Sequence, residues 1–486
     1  MLPARIASRP GLALVVLVIV AAAIFSFLPA SLSVPLALAV LCLLLIPQTP
    51  LTALVLLLVL APLRTLIATE ASAVFPFDVG QILFGLFLLS SLAQDIARRR
   101  PILRFRPDPV LLAVLAICMV FGIGAWRGGD IASWLSEWLK WVVIAIMIWR
   151  LSETARFAWA WLVFAVVLSA GANALVGIYI FFGGSGADHL VIMSRYFRAF
   201  GTFGQPNPFG GFMGIALPLA IAVSLCQLEY VLACSRQRAV IDWRRVILLT
   251  MSGFASALIL AALFASWSRG AWLGIAAALA LMLVCWPRRL VQGAALALVG
   301  AALLFASASA NLLPASIANR LTTAATDLFT ISDARGIHIH ASNYAVIERL
   351  AHWQAARNMA QHHPFFGVGL GNYAGAYENY RLIKWEDPLG HAHNHYLNIL
   401  AETGIVGLSA YVGFWLVIFW LTWRTRRHPD RLARSVAVGL LGCWTYIAVH
   451  SIFDNLYVNN LFLHIGVLLS VLAILRSQIT CSLKVE

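Results

Sequence analysis

The segment Gly390–Gly407, GHAHNHYLNILAETGIVG, places His391, His393, His395 and Glu402 just ahead of a hydrophobic run that starts near Ile405. An imidazole with an ordinary pKa near ~6.5 can accept a proton at neutral pH, so this strip could carry a general base. Three arginines form the other chemically expressive set: Arg195 and Arg198 in RYFRAFGTFGQPNPFGG, and Arg269 in SWSRGAWLG. A guanidinium stays charged and presents a planar fork of donors that suits phosphate oxygens. A base beside an anion site is the equipment for transferring a group off a phosphate. Each residue also has a plain structural reading. The arginines could anchor lipid headgroups, His393 could cap a helix start, and His391 and His395 could serve only packing.

These residues must be held at a membrane surface. Of 486 residues, 61% are hydrophobic and 11% charged, whereas a soluble domain is about half apolar and a quarter charged. The hydropathy pattern predicts an all-α polytopic membrane protein of about 12–14 transmembrane helices. The expected spans are 11–28, 31–47, 50–69, 78–95, 109–126, 131–149, 157–182, 208–229, 246–266, 270–286, 290–310, 404–423, 433–453 and 457–475, each near the ~20 residues that cross a bilayer. Lys and Arg collect on cytoplasmic segments. That rule places both termini inside and turns segments 183–207 and 311–403 outward. The chain then divides into a bundle over 1–310 with a loop near 183–207, a large outer loop over 311–403 with a surface helix, and C-terminal spans and tail over 404–486. The net charge of +14 is absorbed by these topology determinants and by lipid headgroups. No nucleic-acid motif accompanies it. None of the seven cysteines falls in the outward loops, so no disulfide framework is expected.

Within the large loop, residues 343–362 have a helical period with Ile347, Leu350, Ala351, Trp353 and Met359 on one side. Pro364 ends it, and Gly367, Gly369 and Gly371 make a tight turn with no preceding strand, so they are not a nucleotide fingerprint. A second helix begins near Asn394. His391, His393 and His395 would share a strand face and offer a metal site, but a helix start at Asn394 separates them, so no metal is expected. Glu137 and Lys140, three apart, can neutralise each other. His450, Asp454, Asn455, Asn459, Asn460 and His464 around the last outer turn read as interhelical hydrogen bonding, with a wall of the substrate cavity as the alternative.

Four stretches together are similar to the O-antigen ligase and polymerase superfamily: RxxGTFxxPN over Arg198–Asn207, SRGAWLG over Ser268–Gly274, HPFFGVGLGNY over His363–Tyr373 and HNHYLNILAETGIVG over His393–Gly407. In the last, the family spacing falls on His393, Asn394, Gly404 and Gly407. The resemblance implies a GT-C-like membrane glycosyltransferase of the bacterial inner membrane with its active site in the periplasm. Such enzymes take a glycan from undecaprenyl diphosphate, a substrate rather than a cofactor, and pass it to an acceptor hydroxyl with inversion and without metal. Arg198 and Arg269 would then bind the diphosphate, with Arg195 as a substitute for Arg198; His393 would be the general base or position the acceptor, Glu402 could support it, and His391, His395 and Asn394 are possible acceptor-side groups. The expected partners are the lipid-linked glycan, the lipid A core or another glycan acceptor, and membrane lipids. A polymerase of lipid-linked repeats stays open. So does a transporter, although a transporter would carry its polar site near the midplane in repeated halves.

Overall fold

A computed structural model describes residues 50–65, 78–101, 107–123, 130–156, 158–184, 188–287, 289–310, 333–340 and 343–482. The spans expected at 11–28 and 31–47 lie outside these residues, as does 311–332 of the large loop. The described chain is all-α apart from one two-stranded ribbon, β1 (Val191–Ile192) and β2 (Tyr196–Phe197), paired antiparallel. The helices are α1 (Pro50–Leu60), α2 (Val79–Ala97), α3 (Pro109–Ile123), α4 (Ile131–Thr154), α5 (Trp159–Phe181), α6 (Pro206–Arg236), α7 (Trp243–Ala265), α8 (Arg269–Cys285), α9 (Leu290–Ser309), α10 (Tyr344–His362), the short α11 (Tyr373–Ala376), α12 (His395–Thr425), α13 (Arg431–His450) and α14 (Leu461–Ser482).

Each of the twelve expected spans within the described residues meets a helix. Among the described residues, eight helices are long and apolar enough to cross a membrane: α2, α4, α5, α6, α7, α12, α13 and α14. The apolar stretches of α1, α3, α8 and α9 are shorter. Proline accounts for two of these. Pro62 lies in the 3₁₀ turn that follows α1, and Pro287 stands two residues past the end of α8, where it has no N–H to extend the i→i−4 ladder. The protein is an all-α multi-pass membrane protein.

α6, α13 and α14 form its centre, with most of their apolar windows buried inside the protein. Lipid gives little hydrophobic drive for helix association, so close approach through small residues must supply the packing. At Gly214 an added Cβ would lie 1.9 Å from the Tyr446 ring. That absent side chain lets α6 and α13 meet, and the Tyr446 hydroxyl then donates to the Gly210 carbonyl at 2.8 Å. α14 packs along α4 on the other side. There the Glu137–Lys140 pair forms at 2.5 Å, and Lys140 also donates to the Tyr457 carbonyl.

The expected helix over 343–362 is α10, and the helix expected to begin near Asn394 is α12. Asn394 has extended backbone, and its side chain accepts from the Leu397 N–H at 3.1 Å, which supplies a partner for an orphan first-turn donor. α12 is broken once, at Gly404 (φ 63°, ψ −165°). The break sits on the boundary expected at 403/404 between the large loop and the C-terminal spans. It removes the i→i−4 bonds that would join Ile405 to Ala401 and Val406 to Glu402. The glycine loop after α10 takes all four freed groups. Val368 and Gly369 donate to the Ala401 and Glu402 carbonyls at 2.9 and 2.8 Å, while Ile405 and Val406 donate to the Pro364 and Phe365 carbonyls at 2.8 and 3.3 Å. The backbones approach so closely that a Cβ on Gly367 would lie 2.3 Å from Glu402 C, and one on Gly404 2.3 Å from Phe365 C. The HPFFGVG and AETGIVG stretches are therefore two halves of one interlock.

Candidate active site

The site is built from five parts of the chain: the loop after the ribbon, the turn before α8, the histidine loop before α12, the turn after α13, and one face of α10. Arg198 follows the ribbon and is half-buried. Ala199 donates its N–H to the Ala265 carbonyl at 2.9 Å, which docks this loop on the end of α7. Arg198 Nε then donates to the Ser266 carbonyl at 3.1 Å and Nη2 to Asn207 Oδ1 at 3.2 Å. Three residues past Ser266, Arg269 opens α8. An added Cβ at its neighbour Gly270 would touch His450 and Phe453 at 2.9 Å, so Arg269 starts beside the turn after α13. Burial, and then the charges of Arg349 and Arg269, pull the Arg198 guanidinium down to about 10. Arg198 and Arg269 thus share one positive region. Arg195 is exposed, and its guanidinium lies over the Tyr196 ring at 5.4 Å.

The turn after α13 carries Asp454, which is buried with 4% of its surface exposed. Its Oδ1 lies 3.6 Å from His393 Nδ1 and 3.9 Å from His391 Nε2. Burial alone would raise this carboxyl; the neighbouring His393, His391 and His450 imidazoles together hold it below the usual carboxylate range. Asp454 is therefore ionised at neutral pH. His450 belongs to the same wall, with its Nδ1 2.8 Å from the Tyr446 hydroxyl.

His393 has a left-handed backbone, φ 51°, a conformation rare outside glycine but more frequent for Asn, Asp and His. The turn this makes lets its own N–H donate to His391 Nδ1 at 3.1 Å. That bond settles the His391 tautomer. With the Nδ1 lone pair used, the proton of the neutral ring sits on Nε2 and faces Asp454. The ring is neutral at pH 7. Burial is the largest cause and outweighs the attraction of Asp454; His393, Arg349 and Lys140 add to it, and together they bring His391 down to about 4. His393 Nδ1 is buried with Asp454 as its near partner. A proton there leaves the lone pair on Nε2, where a substrate proton can be accepted.

α10 backs this loop. The His352 ring lies 5.9 Å from His393, and Trp353 Nε1 reaches the His393 carbonyl at 3.4 Å. His352 is fixed in turn by the Tyr373 hydroxyl at 3.0 Å and by stacking on Tyr377 at 4.9 Å. Burial, with smaller contributions from His393 and His391, brings it down to about 4 against a weak pull from Asp387.

The structure thus brings together His393, His391, Arg198 and Arg269. It does not bring the other sequence candidates to them. Glu402 is buried and accepts from the Tyr373 N–H at 3.2 Å, clamping the glycine loop; the carboxylate beside His393 is Asp454. Asn394 is spent on the α12 cap. His395 points the other way, stacked on Tyr457 at 4.8 Å and edge-on to Tyr411 at 5.1 Å. Helix onset at Asn394 separates it from its neighbours, as the sequence reading expects. The polar cluster after α13 divides. Asn459, Asn460 and His464 hydrogen-bond to Thr65, Ala61 and Leu58, whereas Asp454 and His450 face the histidines. From the sequence alone Asp454 is one member of that polar cluster and Arg349 only a polar position on a helix. The spacing of Asp454 from His450, one turn beyond the helix end, was the signal available.

His391, His393 and Asp454 offer three ligand atoms within 4.8 Å of one another. His391 does not fit a cation there, because it turns an N–H rather than a lone pair toward the centre of the trio. The stacked pair His338 and His340, 4.5 Å apart, is not part of this group.

Comparison with known proteins finds no match among curated proteins. Residues 254–412 match the family model described as O-antigen ligase. The match supports the O-antigen ligase and polymerase superfamily, and ligase- or polymerase-type glycosyl transfer in general. It covers Arg269, Arg349, the histidine loop and the Gly404 interlock; Arg198 and Asp454 lie outside it.

Proposed function

We propose that this member of the O-antigen ligase and polymerase superfamily transfers a glycan from undecaprenyl diphosphate to an acceptor hydroxyl. The acceptor is the lipid A core, and the reaction faces the periplasm at the bacterial inner membrane. The observation that carries the reading is a buried carboxylate–imidazole pair, Asp454 and His393, beside a region where Arg198 and Arg269 meet.

In this reading the acceptor O–H approaches His393 Nε2, which takes its proton. The acceptor oxygen bonds to the anomeric carbon from the face opposite the diphosphate. The bond from that carbon to the phosphate oxygen breaks, and its electron pair leaves on the diphosphate. Arg198 and Arg269 meet the charge that develops there, already oriented by Ser266, Asn207 and the start of α8. Attack from the opposite face inverts the anomeric centre. Asp454 stabilises the imidazolium formed on His393 and holds its tautomer. His391 keeps Asp454 from turning away. No metal is required, since the developing charge has guanidiniums and the base has a carboxylate. A polymerase would use the same residues, with a second lipid-linked repeat as the acceptor. The charged site lies at helix ends and in loops rather than inside a broken span, which disfavours transport.

The test uses purified protein in nanodiscs with undecaprenyl-diphosphate-linked glycan and EDTA. Lipid A core and further lipid-linked repeat are supplied separately. Transfer to core that is lost in His393→Ala and Arg269→Ala supports the ligase. Elongation of the lipid-linked glycan instead makes it a polymerase. Transfer surviving in His393→Ala removes the base assignment.

A further inference from the structure

We propose that Arg349 is a third donor-binding guanidinium, which holds the diphosphate at its sugar end, between Arg198 and the His393–Asp454 pair. The inference rests on the diphosphate-linked donor proposed above.

Arg349 lies on α10 one turn before His352 and Trp353. Residues at i, i+3 and i+4 share a helix face, and His352 and Trp353 are the two α10 side chains that meet His393. The neighbouring positions Ile347, Leu350 and Ala351 are buried in a hydrophobic cluster with Trp385, so the rotation of α10 is fixed. Its charge acts on groups from three other parts of the chain: Arg198 after the ribbon, His391 in the histidine loop and His450 at the end of α13. Arg349 is thus the cation common to the anion-binding side and the base side.

Arg349 is half-buried. Among the described residues no carboxylate pairs with it and no acceptor is within hydrogen-bond reach of it; the arginines that are paired go to Asp78, Asp95, Asp108, Asp333 and Glu378. A half-buried guanidinium facing other cations, with its five donors unused, is a standing cost unless an anion completes it. A phosphoryl group is suited to that role. It offers several oxygens to a planar fork, and its charge grows as the sugar departs. A diphosphate bearing a sugar spans both sides.

The experiment measures displacement of labelled undecaprenyl diphosphate by inorganic pyrophosphate on the full-length protein in nanodiscs, together with donor KM and kcat. Wild type is compared with Arg349→Gln, Arg349→Lys and Arg198→Gln. Arg349→Gln is expected to weaken pyrophosphate and undecaprenyl diphosphate binding by about tenfold or more and to raise donor KM similarly. Arg349→Lys keeps the charge without the fork and should recover part of that loss. It also serves as the folded variant should Arg349→Gln not fold, with a threefold or greater weakening as its own expected result. Binding within twofold of wild type in folded Arg349→Gln and Arg349→Lys, with Arg198→Gln impaired, overturns the assignment of Arg349 alone. Binding unchanged in Arg198→Gln as well overturns the diphosphate reading on which it rests.

Discussion

Replacing Asp454 with asparagine keeps the size of the side chain and removes its charge. In the ground state the substitution removes only the 3.6 Å approach of Asp454 Oδ1 to His393 Nδ1. In the transition state the His393 ring is becoming an imidazolium, and the carboxylate 3.6 Å away is its counter-ion. Coulomb's law at that distance with an effective dielectric of about 20 gives roughly 332/(20 × 3.6), or about 4.6 kcal/mol. Asp454 keeps only 6% side-chain exposure and His393 19%, so solvent screens the pair little. At about 1.4 kcal/mol per decade, the full loss would be about three decades in rate. The amide dipole retains part of the interaction, and the Nδ1–Oδ1 separation is longer than a good hydrogen bond. The expected fall in kcat is therefore about 10²- to 10³-fold. Donor KM should stay within about threefold, because the interaction is made chiefly in the transition state. The assay is initial-rate transfer of lipid-linked glycan at saturating acceptor, with product resolved by mass. An Asp454→Asn enzyme that keeps a third of wild-type kcat, or that fails only through donor KM, would refute the carboxylate–imidazole pair as the catalytic unit.

Glu402→Gln should keep most activity, within about tenfold, because an amide oxygen can still accept from the Tyr373 N–H; Glu402→Ala should lower the thermal midpoint and the activity together. A Glu402→Gln enzyme as dead as His393→Ala would assign Glu402 a direct chemical role. Gly404→Ala forces φ near 63° on an L residue and sets a Cβ 2.3 Å from the Phe365 carbonyl carbon, so destabilisation of more than about 3 kcal/mol is expected; a wild-type denaturation midpoint would contradict the interlock. The pH dependence of stability follows from His391 and His352, each brought to about 4 by burial. The unfolded chain protonates these rings near ~6.5, so it binds protons first as pH falls. The stability they confer is complete above about pH 6.5 and is lost as pH falls toward 4. A melting temperature unchanged between pH 7 and 4.5 would show that these rings are not buried neutral.

Much of this protein is written in one dimension. Composition and run length determine a membrane bundle, because a 20-residue apolar stretch has few places to go other than a bilayer-crossing helix. The same local logic locates α10 from its period and α12 from the capping Asn394, and it separates His395 from its neighbours. The residue types at Arg198, Arg269 and His393 already announce phosphate and proton chemistry. Two things were decided only in three dimensions. One is partner choice. Glu402, seven residues from His395, looked like the natural support for the histidines, but the break at Gly404 turns it into the clamp of the glycine loop, and Asp454 arrives from 61 positions along the chain past His393. The other is electrostatic completeness. Arg349 on its helix reads as a solvated charge until the fold sets it against Arg198 and the histidines, with no carboxylate beside it among the described residues. Periodicity and caps are local because they depend on hydrogen bonds within a turn or two. Charge pairing depends on distance in space, which helix packing sets and sequence separation does not encode.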